Sequence, residues 1–246
     1  MIKIENIVLS SPEQWNSIIM GARNPMNSLG KSDSGCVDFE DWDCGHGISC
    51  GNGYAFVIGE NDLGLMKRLV SAGTDHRKFM RMITVYADIT APLYWWKEFD
   101  TYKVGTVANS CSTMHKIHAK EFTLDDFSFE HLIYKYTLER IIKDLNFWRN
   151  AFLITDNAER IKYISNRFDS EYINTTISKK NCWYQMIQLL PSSYNQKRTV
   201  MLNYEVLANI YKSRKDHKLD EWRDFCKWIK TLPYSFLITG EHENES

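Results

Sequence analysis

Several features that mark whole classes of protein are missing from this sequence of 246 residues. It has no run of roughly 20 apolar residues, the length that a helix needs to cross a bilayer. Its start lacks the basic region and apolar run of a secretory signal. Its formal net charge of −1 leaves no basic excess for nucleic acid, and 13% aromatic residues argue against disorder. We therefore expect a soluble, cytoplasmic protein without nucleic-acid or membrane partners.

The six cysteines are scattered and include no tight pair of the Cys-x2-Cys kind. This distribution suits a reducing compartment better than a disulfide framework. Cys36, Cys44, His46 and Cys50 fall close together, but zinc sites usually contain tight pairs. A glycine-rich loop with free thiols is therefore favoured over a metal site, and no metal ligands are predicted.

No internal repeat, low-complexity tract or linker divides the chain. We predict one α+β domain over residues 1–246, mostly helical around a small β-sheet. Residues 22–53 are too polar and too interrupted by glycine to supply a core, so they are expected to form a long loop or insertion. That loop is expected to cover the site as a lid or to extend a subunit interface. Residues 241–246 are expected to be a flexible tail.

Capping signals and apolar spacing predict the elements of this domain. Ser11-Pro12 followed by Gln14 has the form of a capped helix start, and Gly73 is a typical helix stop. The predicted elements, in chain order, are helices over 11–21 and 61–73, a buried strand over 79–89, a helix beginning at Thr90 and Pro92, and helices over 130–157, 158–190 (broken near Lys179), 197–214 and 219–232.

Aromatic and polar residues are concentrated in the stretch 91–115. Trp95 and Trp96 stand among further aromatic and charged residues, and the second part, 101–115, is small and polar. Residues of this kind line sites where a flat, partly polar ligand is stacked and hydrogen-bonded. The alternative is a buried helix that runs into an ordinary loop.

Three polar residues, Asn203, Asn209 and Arg214, lie in the apolar pattern of 199–214. On a continuous helix, at about 100° per residue, Asn203 and Arg214 lie on nearly the same face. Asn209 falls among apolar positions, where a buried asparagine without a hydrogen bond costs about 1–3 kcal/mol. A ligand site is one interpretation. The other is that Asn209 bonds a neighbouring backbone group and Arg214 caps the helix C-terminus.

The two stretches together resemble the flavin-dependent thymidylate synthases. The motif of that family, R-H-R-x-x-S-x-N-E-x-S-x-R-Y, follows an Ala-Pro dipeptide. Here Ala91-Pro92 precedes T-Y-K at 101–103 and N-S-C-S-T-M-H at 109–115, with one extra residue between the two halves of the motif.

Three further points agree with the family in order and spacing. His76 stands where the family has a histidine near the flavin, and Leu190-Pro191 fits a Leu-Pro of the family. The pattern N-x5-N-x4-R is matched by Asn203, Asn209 and Arg214. At low identity, the resemblance runs over about 63–222.

The resemblance implies FAD bound between the subunits of a homotetramer. It also implies reductive methylation of dUMP to dTMP, with methylenetetrahydrofolate as carbon donor and NADPH as reductant. Arg214 and Ser112 would have the catalytic roles. The residues assigned to the flavin are His76, Thr101, Tyr102, Lys103, Asn109, Asn203 and Asn209. Those assigned to the nucleotide are Glu98, Ser110, Cys111, Ser112, Thr113 and Arg214.

This sequence departs from the family both inside and outside the motif, and the Arg-His-Arg triplet is reduced to one cation, Lys103. Two arginines that the family uses for the nucleotide fall on Met114 and Ile187. The usual glutamine is Glu98, and the motif glutamate is Ser110. Each lost guanidinium removes charge-assisted hydrogen bonds worth about 1.5–3 kcal/mol. A non-catalytic relative that keeps the oligomeric scaffold, with or without nucleotide binding, is therefore the alternative. A shared helical scaffold alone is a third possibility.

Other candidate residues have an ordinary explanation beside a functional one. Cys111 has the chemistry of a nucleophile, but a bystander thiol is favoured. His115 and His118 have the spacing to share a metal, although exposed histidines are more common. Trp95 and Trp96 would stack on the flavin or folate, or pack between subunits.

Overall fold

The computed structural model describes residues 1–38, 48–51, 54–168 and 177–241. It confirms the prediction of a mostly helical α+β fold built around small β-sheets. Within the described residues, no helix combines the length and the apolar character needed to span a membrane.

Two compact units make up the chain. The helical unit comprises Met1, Thr90–Lys97 and Ser110–Lys197. The sheet unit comprises Ile2–Ile89, Glu98–Asn109 and Arg198–Ser246.

Two sheets and five helices belong wholly or mainly to the sheet unit. The four-stranded sheet has the order β1-β5-β7-β6, and the three-stranded sheet has the order β2-β4-β3 with antiparallel pairing. The strands are β1 (Lys3–Leu9), β2 (Gly35–Asp38), β3 (Ile48–Gly51), β4 (Tyr54–Val57), β5 (Thr84–Pro92), β6 (Val107–Ser110) and β7 (Asn195–Asn203). The helices are α1 (Pro12–Arg23), α2 (Glu60–Ser71), α7 (Tyr204–Arg214), α8 (Asp220–Lys230) and α9 (Phe236–Thr239).

Local sequence signals explain where these helices begin and which side they bury. Ser11 caps α1, and Gln14 closes the capping box by accepting a hydrogen bond from the Ser11 backbone N–H at 2.8 Å. Helix α8 buries Trp222, Phe225 and Ile229, and this spacing places the three side chains on one face.

The helical unit is built mainly on α4 (Lys135–Leu153), which packs against α6 (Lys179–Leu189). Its core includes Leu138 and Leu145 of α4, Met186 of α6, and Phe122 and Phe127 of the preceding loop. Helix α5 (Asn157–Ser165) adds a second small cluster around Ile164. The break predicted near Lys179 corresponds to the start of α6.

The loop predicted over 22–53 is wrong in part. Two short 3-10 turns, Asn24–Met26 and Leu29–Lys31, are followed by the strands β2 and β3. Residues 39–47 lie outside the described part of the chain. Strand β4 pairs with both β2 and β3. Part of this polar segment therefore forms a β-sheet, although the segment does not supply a core.

A buried ion pair fixes the start of that segment. Asp62 of α2 is 1% exposed and bonds the Arg23 guanidinium, the hydroxyl of Ser32 at 2.8 Å and the hydroxyl of Ser34 at 2.6 Å. Burial alone would raise the pKa of Asp62, but the hydrogen bonds from Ser34, Ser32 and Arg23 together hold that pKa below its ordinary value. The carboxylate therefore stays charged and its pairing contributes to stability.

Three predicted boundaries around the central sheet are also wrong. Lys78–Arg81 forms a 3-10 turn, and the strand β5 begins only at Thr84 and continues through Pro92. Helix α3 (Leu93–Phe99) therefore begins after the proline. The helix predicted over 197–214 is a strand, β7, up to Asn203, and becomes helical only at Tyr204.

Candidate functional site

The guanidinium of Arg214, at the C-terminal end of α7, is the centre of a polar and aromatic cluster in the sheet unit. Its Nη1 donates to Glu98 Oε2 at 2.7 Å, and its Nε donates to the hydroxyl of Tyr102 at 2.9 Å. The ring of Trp222 lies 4.9 Å from the guanidinium carbon, and its Nε1 donates to the same Glu98 oxygen at 2.9 Å. Nε2 of His217 lies 2.9 Å from Nη1.

These contacts fix the position of the Arg214 side chain and offset its charge. The side chain is 19% exposed, and that of Glu98 is 34% exposed. The ring of Tyr102, 5.7 Å away, adds a second cation–π contact. Among the described residues, Nη2 of Arg214 has no hydrogen-bond partner. This group is therefore the donor that remains for a ligand.

The segment that follows α3 encloses a cavity of about 390 Å³ in the same unit. Tyr102 and Lys103, two of the predicted flavin ligands, line it together with Phe99, Asp100, Thr106 and Ala108. Lys103 is exposed and has no ion-pair partner among the described residues. Asp100, on the same wall, pairs with Arg198 at 2.7 Å. The cavity therefore has a ring, a free cation and a neutralised carboxylate.

Asn203 has a structural role that the prediction of one continuous helix over 197–214 did not indicate. It is the N-cap of α7, and its Oδ1 accepts from the Val206 backbone N–H at 2.9 Å. Its Nδ2 donates to the carbonyl of Gly105 at 3.4 Å. Gly105 has φ of +82°, and a Cβ there would lie 2.3 Å from that nitrogen. Asn203 and Gly105 thus hold the turn beside the cavity, and Asn203 does not share a helix face with Arg214.

The other predicted flavin ligands lie at the surface. Asn209 is exposed on α7, so the expectation that it is buried among apolar positions is wrong. His76 is exposed in the turn after α2, where its backbone N–H donates to Gly73. Thr101 is exposed and its hydroxyl donates to the Glu98 carbonyl at 2.7 Å. Asn109 is exposed on β6.

In the helical unit, the predicted nucleotide ligands Cys111, Ser112 and Thr113 line a cavity of about 260 Å³. The backbone N–H of Cys111 donates to Lys197 at 2.9 Å, which fixes the segment. The Ser112 hydroxyl accepts from the His115 backbone N–H at 2.9 Å, which leaves its own proton available to a ligand. Ser110, the last residue of β6, is exposed and is not part of the lining.

Three further residues of this cavity were not predicted from the sequence. Lys120 forms an ion pair with Asp126, and this contact holds the pKa of Lys120 above its usual range. Burial raises the pKa of Tyr194, so its hydroxyl stays protonated at neutral pH. The capping box that Thr123 forms with Asp126 is visible in the sequence, but nothing there indicates that Asp126 meets a lysine in a cavity.

The residues that replace family arginines contribute no charge. Met114 is 46% exposed, and its carbonyl accepts from the Trp183 indole at 2.7 Å. Ile187 packs against the core around α4 and α6. Trp95 and Trp96 are fully buried and in edge-to-face contact, so their ring faces are closed to a flavin or folate.

The remaining candidates are partly outside the described residues. Cys44 and His46 lie there, and Cys36 is exposed on β2. Across the described ranges, no three metal-ligating side chains converge. The ring of His118 lies 4.5 Å from that of Phe152, between centroids, and Cys111 is an exposed free thiol.

The sequence matches no protein-family model and no curated protein. The structure is similar to that of thymidylate synthase X from Helicobacter pylori with FAD and dUMP. The TM-score is 0.54 and the identity 16%, with 98% of each chain covered. A second structure of the flavin-dependent enzyme from that organism, also with FAD and dUMP, gives a TM-score of 0.53 at 17% identity and covers 97% of this chain. The chain therefore has a fold similar to that of the flavin-dependent thymidylate synthases.

Proposed function

We propose that this protein is a divergent flavin-dependent thymidylate synthase, or a close relative acting on another pyrimidine nucleotide. It would methylate dUMP to dTMP in a homotetramer, with FAD, methylenetetrahydrofolate and NADPH. The observation that carries the proposal is the similarity in fold, over nearly the whole of both chains, to a protein crystallised with FAD and dUMP. The resemblance in sequence assigns Arg214 to the nucleotide, and this residue has an unused donor.

The residues around the 390 Å³ cavity fit part of a flavin. Its volume is within the usual range of about 300–1,000 Å³ for ligand pockets. Lys103 supplies a cation for a phosphate group, as a point charge rather than a bidentate fork. Tyr102 supplies a ring and Thr106 a hydroxyl. When bound, the flavin supplies the redox chemistry, and the chain's own residues bind and orient the reactants.

The resemblance in sequence assigns the nucleotide to Arg214 and to the segment 111–113. Nη2 of Arg214 would donate to the pyrimidine ring and stabilise negative charge that develops there. The Ser112 hydroxyl and the backbone amides of Ser112 and Thr113 would donate to phosphate oxygens. Lys120 and Lys197 are the cations in the lining of that cavity, and Asp126 already offsets the charge of Lys120. We expect weaker binding of dUMP than a site with two more arginines would give.

The alternative is a non-catalytic relative that keeps the scaffold. The observation that favours it is the ion pair between Glu98 and Arg214. A guanidinium that already pairs with a carboxylate has less charge to offer to an anionic ligand. Met114 and Ile187 do not restore that charge.

The first test is the absorbance spectrum of the purified protein after incubation with FAD and desalting. Retention of near-stoichiometric flavin, followed by dUMP-dependent reoxidation of the reduced flavin, would support the enzyme. Arg214→Gln should abolish the dUMP dependence. The matched control is Lys212→Gln, which removes an exposed cation from the same helix. A folded oligomer that retains no flavin would favour the non-catalytic relative.

A further inference from the structure

A second polar cavity, of about 320 Å³, lies between α7 and α8 in the sheet unit. Four of its lining residues are cationic: Lys215, Arg223, Lys227 and Lys230. Two are carboxylates, Asp216 and Glu241, and Tyr211 supplies a hydroxyl. None of these residues belongs to the Arg214 cluster or to the cavity after α3. The cavity is therefore a separate, predominantly basic feature of the surface.

Glu241 places a carboxylate in this basic cavity. Gly240, at φ of +68°, ends α9 in the left-handed conformation that redirects the chain. One carboxylate oxygen of Glu241 then accepts from the Tyr211 hydroxyl at 2.5 Å, and the other accepts from Lys230 Nζ at 2.7 Å. Residue 241 of the tail predicted to be flexible is thus held by two side chains, while 242–246 lie outside the described residues.

The contacts of Glu241 with Lys230 and Tyr211 resemble those of an anion bound at this position. The hydrogen bond from Lys230 is the largest cause that lowers the pKa of Glu241, and the same hydrogen bond raises the pKa of Lys230. Tyr211 donates the second hydrogen bond, so both oxygens of the carboxylate are satisfied by groups of α7 and α8. A cation and a phenol that converge on one carboxylate form a recognition site for that group.

Positive charge remains in the cavity after Glu241 is counted. Lys215 has no ion-pair partner in the described part of the chain, and its Nζ lies 5.9 Å from the Tyr211 ring centroid. Arg223 and Lys227 pair with Asp220 and Asp224 of their own helix. Such exposed pairs are worth little, but the Arg223 guanidinium also donates to the carbonyls of His217 and Lys218 at 2.7 and 3.0 Å. Asp216 is a second carboxylate of the lining, so Lys215, together with Lys230 once Glu241 is displaced, supplies the charge for a ligand.

We propose that this cavity binds a small molecule with several carboxylates, and that Glu241 occupies the site as an internal ligand until such a molecule displaces it. The inference uses only α7, α8 and Glu241, so it does not rest on flavin or nucleotide binding. Citrate is a suitable probe because its three carboxylates can bond Lys215 and Lys230 together.

The test is isothermal titration calorimetry of the full chain with citrate, at an ionic strength held constant with chloride. Glu241→Gln should bind citrate at least about tenfold more tightly than the wild type, because the competing charge is gone. Lys230→Gln should lose most of the affinity. Asp144→Asn, which removes an exposed, ion-paired carboxylate from the helical unit, is the control for net charge and should leave the affinity unchanged.

Each of three outcomes would overturn the proposal. The first is an equal citrate affinity for wild type and Glu241→Gln. The second is the absence of citrate binding to a Glu241→Gln protein that melts at the wild-type temperature. A gain of affinity in Asp144→Asn equal to that in Glu241→Gln would also overturn it, because the effect would then be one of total charge. Inorganic phosphate, titrated in the same way, distinguishes a carboxylate site from a general site for oxyanions: binding as tight as that of citrate would refute the carboxylate preference.

Discussion

The Glu98→Gln substitution separates two roles that the Arg214 cluster can have. The carboxylate accepts from Arg214 at 2.7 Å and from Trp222 at 2.9 Å, and glutamine keeps its shape but not its charge. A hydrogen bond to a charged group is worth about 1.5–3 kcal/mol and a neutral one about 0.5–1.5 kcal/mol. Since Glu98 is 34% exposed, solvent screening reduces the expected loss to about 1 kcal/mol. The melting temperature should fall by about 2–4 °C for a chain of this size.

The same substitution should have the opposite effect on ligand binding. A nucleotide at Arg214 competes with the Glu98 carboxylate for the charge of the guanidinium. Removal of that carboxylate should increase the affinity for dUMP by up to about tenfold, which corresponds to about 1.4 kcal/mol. The assay is calorimetric titration of dUMP into wild-type and Glu98→Gln protein, each with FAD present.

The control is Asp100→Asn, which removes the pair with Arg198 beside the neighbouring cavity. Asp100 is more than half exposed, so we expect a loss below about 1 kcal/mol and no change in dUMP affinity. A Glu98→Gln protein with a lower melting temperature and unchanged dUMP affinity would refute the nucleotide role of Arg214. An unchanged melting temperature would refute the estimate of the ion pair.

Three further predictions concern stability and thiol chemistry. Asp62→Asn should lower the free energy of unfolding by about 3–5 kcal/mol in urea, because Arg23 is left buried and unpaired. Because the pKa of Asp62 is lowered in the folded state, its contribution is lost as pH falls below about 4, and the variant should show a weaker acid destabilisation. Gly105→Ala should cost at least about 1–2 kcal/mol in thermal melts, because positive φ and Asn203 both oppose a Cβ. Burial raises the pKa of Cys226 to about 11, so mass spectrometry should find it alkylated by iodoacetamide at pH 8 only after unfolding.

Elements marked by local chemistry could be predicted from the sequence. The Ser11 capping box and the proline after it set the start of α1, and the apolar spacing of α8 set its buried face. These signals act within one or two turns of chain, so tertiary contacts did not alter them. The fold class followed from such elements and from the resemblance, and the structure confirms it.

The boundary at Asn203 could not be predicted in the same way. In β7, Val200 and Leu202 are buried and Thr199 is exposed, which is a strand pattern of only a few residues. It runs without a glycine or proline into the helical pattern of α7, so one continuous helix fits the sequence equally well. The structure resolves the ambiguity by pairing β7 with β5 and β6. This pairing depends on contacts between residues that are distant in sequence. Because of it, Asn203 is the N-cap of α7 and does not lie on the helix face that the sequence predicted.

The partners of Arg214 were the least predictable part of the candidate site. Tyr102 and Glu98 were assigned to ligands by resemblance, yet both bond Arg214, and Trp222 and His217 reach it from beyond the end of α7. The family pattern identifies Arg214 as the arginine of the site. It does not indicate how much of the charge of Arg214 is offset by neighbouring residues. That charge distinguishes an enzyme that binds a nucleotide from a relative that keeps only the scaffold. If the pairing with Glu98 persists when nucleotide is present, Arg214 serves the fold; if the nucleotide displaces it, the same contact tunes affinity.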